Sequence, residues 1–182
     1  MALSKITTES ILDGEITTAK LASGTGGKVL QIQSSLSTAY ASTTTIFGYD
    51  DTIAQNTEGV ELVTLAFTPQ SSSSKLLFMY GGSFNVGQGS SIVNPCVIAL
   101  YVDSTANAIA QASATVDGGG TRVMSSWAYH LETNSSTSER TYKMRWGRSG
   151  QGGSTNYING DTSARLFGGK LASGFYITEY AN

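Results

Sequence analysis

The chain is short of charge. Asp, Glu, Lys and Arg make up 13% of its 182 residues, about half of what a globular domain usually carries. A net charge of −2 gives no general attraction to nucleic acid or to an anionic membrane. Cysteine and histidine are each represented once, by Cys96 and His130. A single cysteine excludes a disulfide scaffold within the chain, and its place before Val97-Ile98-Ala99-Leu100 reads as a small buried hydrophobe. With one histidine, no Ser/His/Asp or Cys/His mechanism has a local signature, and zinc lacks its three or four protein ligands. No stretch approaches the roughly 20 apolar residues that span a bilayer. Met1-Ala2-Leu3-Ser4-Lys5 also lacks the basic and apolar regions of a signal peptide. The sequence therefore predicts synthesis in a cytoplasm, no membrane insertion, no nucleic-acid partner, no metal or other cofactor, and no catalysis.

Carboxylates could still reverse that last expectation, because cleaving a glycan needs two of them across the sugar. Asp50, Asp51, Asp103, Asp117 and Asp161 all fall at strand ends or in turns, where aspartate serves the backbone. A calcium site built from two or three of them is the alternative. Asp117-Gly118-Gly119-Gly120 lacks the Gly-Lys-Ser/Thr ending of a phosphate-binding loop and reads as a turn.

In place of charge the chain is rich in Ser, Thr, Gly and Asn, and it opens with a short tandem repeat. Ile6-Thr7-Thr8-Glu9-Ser10-Ile11-Leu12-Asp13-Gly14 is followed ten residues on by Ile16-Thr17-Thr18-Ala19-Lys20-Leu21-Ala22-Ser23-Gly24. Each unit is too short and too thinly apolar to bury a core alone. Identical copies wrapped round a shared axis would bury Ile6, Ile11, Leu12, Ile16 and Leu21 against one another and offset the ordering entropy. Residues 1–27 thus read as an extended stalk and anchor, and residues 28–182 as a single head domain of a size that closes a real core.

The head reads as all-β. Lys28–Gln33, Ile46–Tyr49, Val63–Phe67, Lys75–Tyr80, Val97–Asp103, Ala108–Thr115, Thr121–Glu132, Arg140–Trp146, Ala164–Phe167 and Phe175–Tyr180 are strand-like runs separated by turn-rich clusters. No helical period persists between them, which predicts a sandwich or jelly roll. The nearly continuous apolar run Lys75–Tyr80 predicts a central strand covered on both faces, and Gly81-Gly82 after it predicts a bulge or a close backbone approach.

The pleat assigns faces. In residues 126–132 it sends Trp127, Tyr129 and Leu131 inward and Ala128, His130 and Glu132 outward. In residues 140–146 it sends Tyr142, Met144 and Trp146 inward. Thr141, Lys143 and Arg145 then face out as a basic strip that Arg148 extends. Gly147–Tyr157 reads as a long loop whose Arg148, Gln151, Asn156 and Tyr157 could hydrogen-bond and stack on a saccharide, or form a solvated connector. The loop Asn85–Ser91 has the same character and could share a rim with it.

The opening residues, the Ile16–Gly24 unit and Gly26-Gly27-Lys28-Val29-Leu30-Gln31-Ile32-Gln33 resemble the start of fibre and other virion-surface proteins of tailed bacteriophages of aquatic bacteria. Thr68–Leu77 and the closing Phe175–Tyr180 resemble the head domains of such proteins. The resemblance implies a homotrimer with a jelly-roll head similar to the tumour necrosis factor-like class. It also implies a place on the virion surface after assembly in a host cytoplasm, and attachment to another virion protein through the N-terminus. Many tail fibres carry a large adaptor before the shaft, whereas here the stalk begins at once. Two roles stay open. One is a receptor-binding tail fibre or tip that holds host surface polysaccharide or an outer-membrane protein through Lys143, Arg145, Arg148, Asn156 and Tyr157. The other is a capsid decoration or head fibre gripping the shell through its N-terminal segment.

Overall fold

The computed structural model describes residues 28–86, 95–115, 123–150 and 155–182. The stalk and its anchor residues Ile6, Ile11, Leu12, Ile16 and Leu21 lie outside the described residues. The elements in chain order are β1 (Val29–Ser37), β2 (Ala41–Thr43), β3 (Ile46–Phe47), β4 (Val60–Phe67), β5 (Lys75–Val86), β6 (Cys96–Val102), β7 (Ala110–Ala114), β8 (Val123–Thr133), β9 (Arg140–Ser149), β10 (Asn156–Ile158) and β11 (Ser173–Tyr180). A 3-10 turn, Phe167–Gly169, precedes β11.

These strands form two sheets, and the head is an all-β sandwich of jelly-roll type. In the first sheet β5 is flanked on one side by β8 and on the other by β11 and then β10, with β1 and β2 beyond. The second sheet runs β3-β9-β6-β7, with β4 also paired to β9. The pattern of alternating apolar residues explains the closure. Leu76, Phe78 and Tyr80 of β5 and Phe175 and Ile177 of β11 meet Ile98 and Leu100 of β6 and Met144 and Trp146 of β9, all essentially inaccessible. Tyr142 spans the gap, its ring 5.0 Å from that of Phe78. Tyr142, Met144 and Trp146 therefore point inward as the pleat requires.

Three expectations are corrected. First, the strand covered on both faces is β6, all seven of whose residues are buried, and not β5. Segment 47–58 folds over the outside of the second sheet, where Phe47 and Ala54 pack on Val97, Ala99 and Tyr101 and the Tyr101 hydroxyl donates to the Gln55 carbonyl. Leu77 and Met79, on the far side of β5, are half-buried.

Second, the faces of β8 are reversed. Ala128 packs against the core, while Trp127, Tyr129 and Leu131 are 37%, 67% and 57% exposed. His130 lies against the Phe78 ring at 5.9 Å, and Glu132 accepts a hydrogen bond from the Tyr142 hydroxyl. The inward side of this edge strand closes the sandwich with polar contacts, and its large apolar side chains are left outside.

Third, Ala164–Phe167 is not a strand. Asp161 Oδ1 accepts from the backbone N–H groups of Ser163 and Ala164, which curls the chain, and Phe167 has φ of 49°. Conversely, β2 and β10, three residues each, are too short and polar to announce themselves by period.

The close approach at Gly81-Gly82 is present. A Cβ on Gly81 would lie 2.0 Å from the Ser126 carbonyl oxygen, and one on Gly82 1.9 Å from Ser173 Oγ. Near the point where the chain enters β1, the inward-facing Glu179 is fully buried. It accepts hydrogen bonds from Gln31 Nε2, Ser74 Oγ and the backbone N–H groups of Gln70 and Ser71.

Candidate functional site

Strand register fixes the two ends of the head. Val29 pairs with Tyr180 and Lys75 with Thr133 at the entry end. Asn156 pairs with Val86, Asn85 with Val123, and Cys96 with both Ala114 and Arg148 at the other. The residues flanking the loops after β5 and β9 thus converge at the end remote from Val29. Residues 87–91 and Gln151 of those loops lie outside the described residues.

The five residues expected to form one contact surface do not share a face. Lys143 and Arg145 lie on the outer side of the second sheet, both half-buried. Arg145 is occupied, its Nε and Nη2 donating to the carbonyls of Glu58 and Gly59 at 2.7 and 2.8 Å. Arg148 is within β9, not in a loop, and its pairing with Cys96 turns it to the inner side. Its Nε donates to the Thr44 carbonyl at 2.8 Å, and its Nη1 is buried with no partner among the described residues. Asn156 is fully buried, with its Nδ2 directed at the Gly147 carbonyl. Tyr157, its neighbour in β10, points the opposite way, onto the outer face of the first sheet. Both arginines bind carbonyls of irregular segments that have no ladder partner, so they fasten loops.

Cys96 beside Asn156 is buried, and desolvation pushes its thiol up to about 12 against weaker hydrogen-bonding effects of Asn156 and Gly147. The thiolate, which is the reactive form, is therefore scarce. Folded protein is expected to resist a maleimide reagent at pH 7.5 and to react fully only in denaturant, as mass spectrometry of the adduct would register.

Tyr157 belongs instead to a cluster built by a buried polar network. Asn159, at φ of 58°, donates from Nδ2 to the carbonyls of Ser37 and Ala39 and accepts from Ser173 Oγ at 2.7 Å. The same Ser173 Oγ accepts from the Ser83 N–H. These bonds pin the β1–β2 connection to the turn after β10 and so position Tyr40. The Tyr40 ring stacks on Tyr157 at 6.2 Å with 12° between planes, and its hydroxyl donates to the Asp161 carbonyl at 3.1 Å. Burial, with smaller contributions from Tyr157 and Asp161, raises the Tyr40 pKa, which keeps the hydroxyl a donor at neutral pH.

The Asp161 carboxyl is held below its usual range by hydrogen bonds from the Ser163 and Ala164 N–H groups and the Ser163 hydroxyl. Gly160 bridges to Arg165, whose guanidinium lies over Gly169. Phe167 between them is 71% exposed. Phe167 is thus a bulky residue held at positive φ and left in solvent, a conformation its packing does not explain. Together these groups offer an aromatic stack, a carboxylate and a cation, a set suited to a sugar or peptide surface. Sequence reading found Tyr157 but missed Tyr40, Asp161, Arg165 and Phe167 as companions. In the sequence Asp161 reads as a turn residue and Ala164–Phe167 as a strand, and Asn159-Gly160-Asp161 is the turn signal that could have joined them.

No protein-family model matches the chain, and no curated protein matches it either. Among solved structures it is similar to dimeric latent PorU from Porphyromonas gingivalis, at 11% identity and a TM-score of 0.38 over 86% of this chain. It is also similar to the VP2 subviral particle of infectious bursal disease virus, at 13% identity and a TM-score of 0.33 over 83% of this chain. The chain spans 14% and 33% of those two proteins. Likeness at this level identifies no family for the chain.

Proposed function

We propose that the chain is a non-enzymatic surface protein of a tailed-phage virion: a trimeric fibre or fibre tip, assembled in the host cytoplasm and joined to another virion protein by residues 1–27. Its head binds the host cell surface, a polysaccharide or an outer-membrane protein. The observation that carries the reading is the stacked Tyr40–Tyr157 pair on the half of the head remote from Val29, where a stalked protein would meet its target. The contact surface is accordingly Tyr157 with Tyr40, Arg165 and the exposed Phe167. Lys143 lies on the opposite sheet and takes no part in it, and Arg145, Arg148 and Asn156 support the loops. Three weak sites per trimer and several trimers per particle supply avidity.

Tyr157→Ala together with Phe167→Ala removes two aromatic surfaces and no core contact. Host-cell adsorption of particles carrying this variant is expected to fall about tenfold, the size of one to two stacking contacts, while the melting temperature of the head stays close to that of the parent. Arg148→Ala is a poor probe, because it frees the Thr44 carbonyl. Undiminished adsorption by the double variant, and by particles lacking the protein altogether, would instead support the capsid-decoration role.

A further inference from the structure

The outer side of the first sheet is an apolar plane with nothing over it among the described residues. Register places three successive rows across β1, β11, β5 and β8, running from Ile32 to Leu131, from Ser34 to Tyr129 and from Leu36 to Trp127. None of the three contains a charged residue. Ile32 is 62% exposed and Leu36 40%, matching the exposure of Trp127, Tyr129 and Leu131 across the sheet. Tyr176 sits between, its ring 6.4 Å from Trp127. Gly81 and Gly174 occupy the third row, where a Cβ would strike the Ser126 and Ser35 carbonyl oxygens at 2.0 and 2.1 Å, so no side chain stands between Leu36 and Trp127 there. The corresponding side of the second sheet is covered by the chain's own Phe47 and Ala54.

We propose that this face is where copies of the chain meet one another. The exposed side chains amount to roughly 600 Å² of apolar surface, the upper end of what a monomer leaves in one patch. A stable interface takes about 800 Å² from each partner. These three rows hold no charge to select a charged partner, Lys75 lying in the row beyond Leu131, and the patch is complementary to another like it. Its border strand β1 carries Ile32 and Leu36 and directly follows residues 1–27, the segment whose repeats need identical neighbours. Copies associating through these faces bring their β1 strands, and with them the start of the head, toward a shared axis. The proposal rests on the association of copies that the functional reading also assumes; Tyr157 lies on the same side of the first sheet but beyond these rows, beside Asn85.

Two tryptophans make the test direct, because Trp146 is 1% exposed and Trp127 37% exposed in the single chain. The full-length protein is studied by sedimentation and by iodide quenching of tryptophan fluorescence. It is compared with Ile32→Glu combined with Tyr129→Glu, and with Lys143→Glu on the opposite sheet as control. The parent and the control are expected to sediment as oligomers at micromolar concentration with both tryptophans shielded. The double variant is expected to weaken association about a hundredfold or more, since it buries unpaired carboxylates, and to expose Trp127 while keeping a β-type circular dichroism spectrum.

The parent alone decides the matter if the double variant fails to fold. An oligomer whose Trp127 is freely quenched would show that copies meet elsewhere, overturning this proposal and leaving the trimeric reading intact. A monomer with Trp127 shielded would overturn it as well, since the N-terminal segment of the same chain would then cover the face. A monomer with Trp127 exposed would overturn both this proposal and the trimeric reading.

Discussion

Replacing Gly81 by alanine is expected to destabilise the head by about 3 kcal/mol or more, the sum of backbone strain and forced displacement at a packed position. Gly81 has φ of 154°, and its added methyl would be 2.0 Å from the Ser126 carbonyl oxygen and 2.8 Å from the Trp127 Cα. Both contacts are backbone atoms of β8, so no side chain can rotate away; β5 and β8 must separate at the middle of their ladder. For a domain of this size the change corresponds to a fall in melting temperature of about 10 °C. Gly168→Ala is the matched control: it too has positive φ, 61°, but nothing lies within 4 Å of its added methyl, so it carries backbone strain without the collision. A melting temperature for Gly81→Ala equal to that of Gly168→Ala would refute the argument.

Glu179 is the other position with a large expected effect. Burial tends to raise its pKa, but the donors on Ser74, Gln31, Gln70 and Ser71 outweigh burial and leave it lowered from 4.5. Because the folded pKa is depressed, the carboxylate's stabilisation is complete above the ordinary glutamate range. It is lost as pH falls through the folded value. The parent's melting temperature should therefore hold above about pH 5 and decline below it. Glu179→Ala leaves the Gln70 and Ser71 N–H groups without an acceptor, while Gln31 Nε2 and Ser74 Oγ keep the Thr68 and Ser71 carbonyls, and is expected to cost about 3 kcal/mol at neutral pH. Glu179→Gln keeps the shape, places an NH₂ against donors, and should lose less stability while flattening the acid slope. An unchanged slope in the Gln variant would mean that the acid sensitivity arises at another group.

What the sequence disclosed, and what it hid, follows from what hydrophobic periodicity measures. Tyr142, Met144 and Trp146 were legible because β9 sits in mid-sheet, where the larger apolar side of the strand and the buried side coincide. The same logic failed on β8, an edge strand whose larger apolar side faces away from the core. Periodicity reports which side avoids water and is silent on whether the chain itself provides the cover. The expected contact residues failed for a related reason. Arg145 and Arg148 look solvent-facing in a one-dimensional pattern, but long guanidinium side chains fold back to carbonyls of segments 44–59 that lie 86 to 104 residues away. Tyr40 and Tyr157 come together only because β2 pairs with β10, two strands of three residues that no local signal marks. The glycine pair was legible, since a strong strand that runs straight into two consecutive glycines gives up side-chain packing where another backbone comes close.

The hydrogen-bonded partnership of β1 with β11, extended by the Ala181 N–H to the Lys28 carbonyl, has a consequence for synthesis. The first strand of the head finds its only ladder neighbour among the described residues in the last one. A nascent chain emerging at about 5–20 residues per second therefore leaves β1 without its cross-strand partner until Tyr180 clears the ribosome, and with it Ile32 and Leu36. Closure of the first sheet is necessarily a late, long-range event, slow relative to the formation of local hairpins such as β6–β7. During that interval the unsatisfied edge of β1 is available to neighbouring nascent chains on the same message.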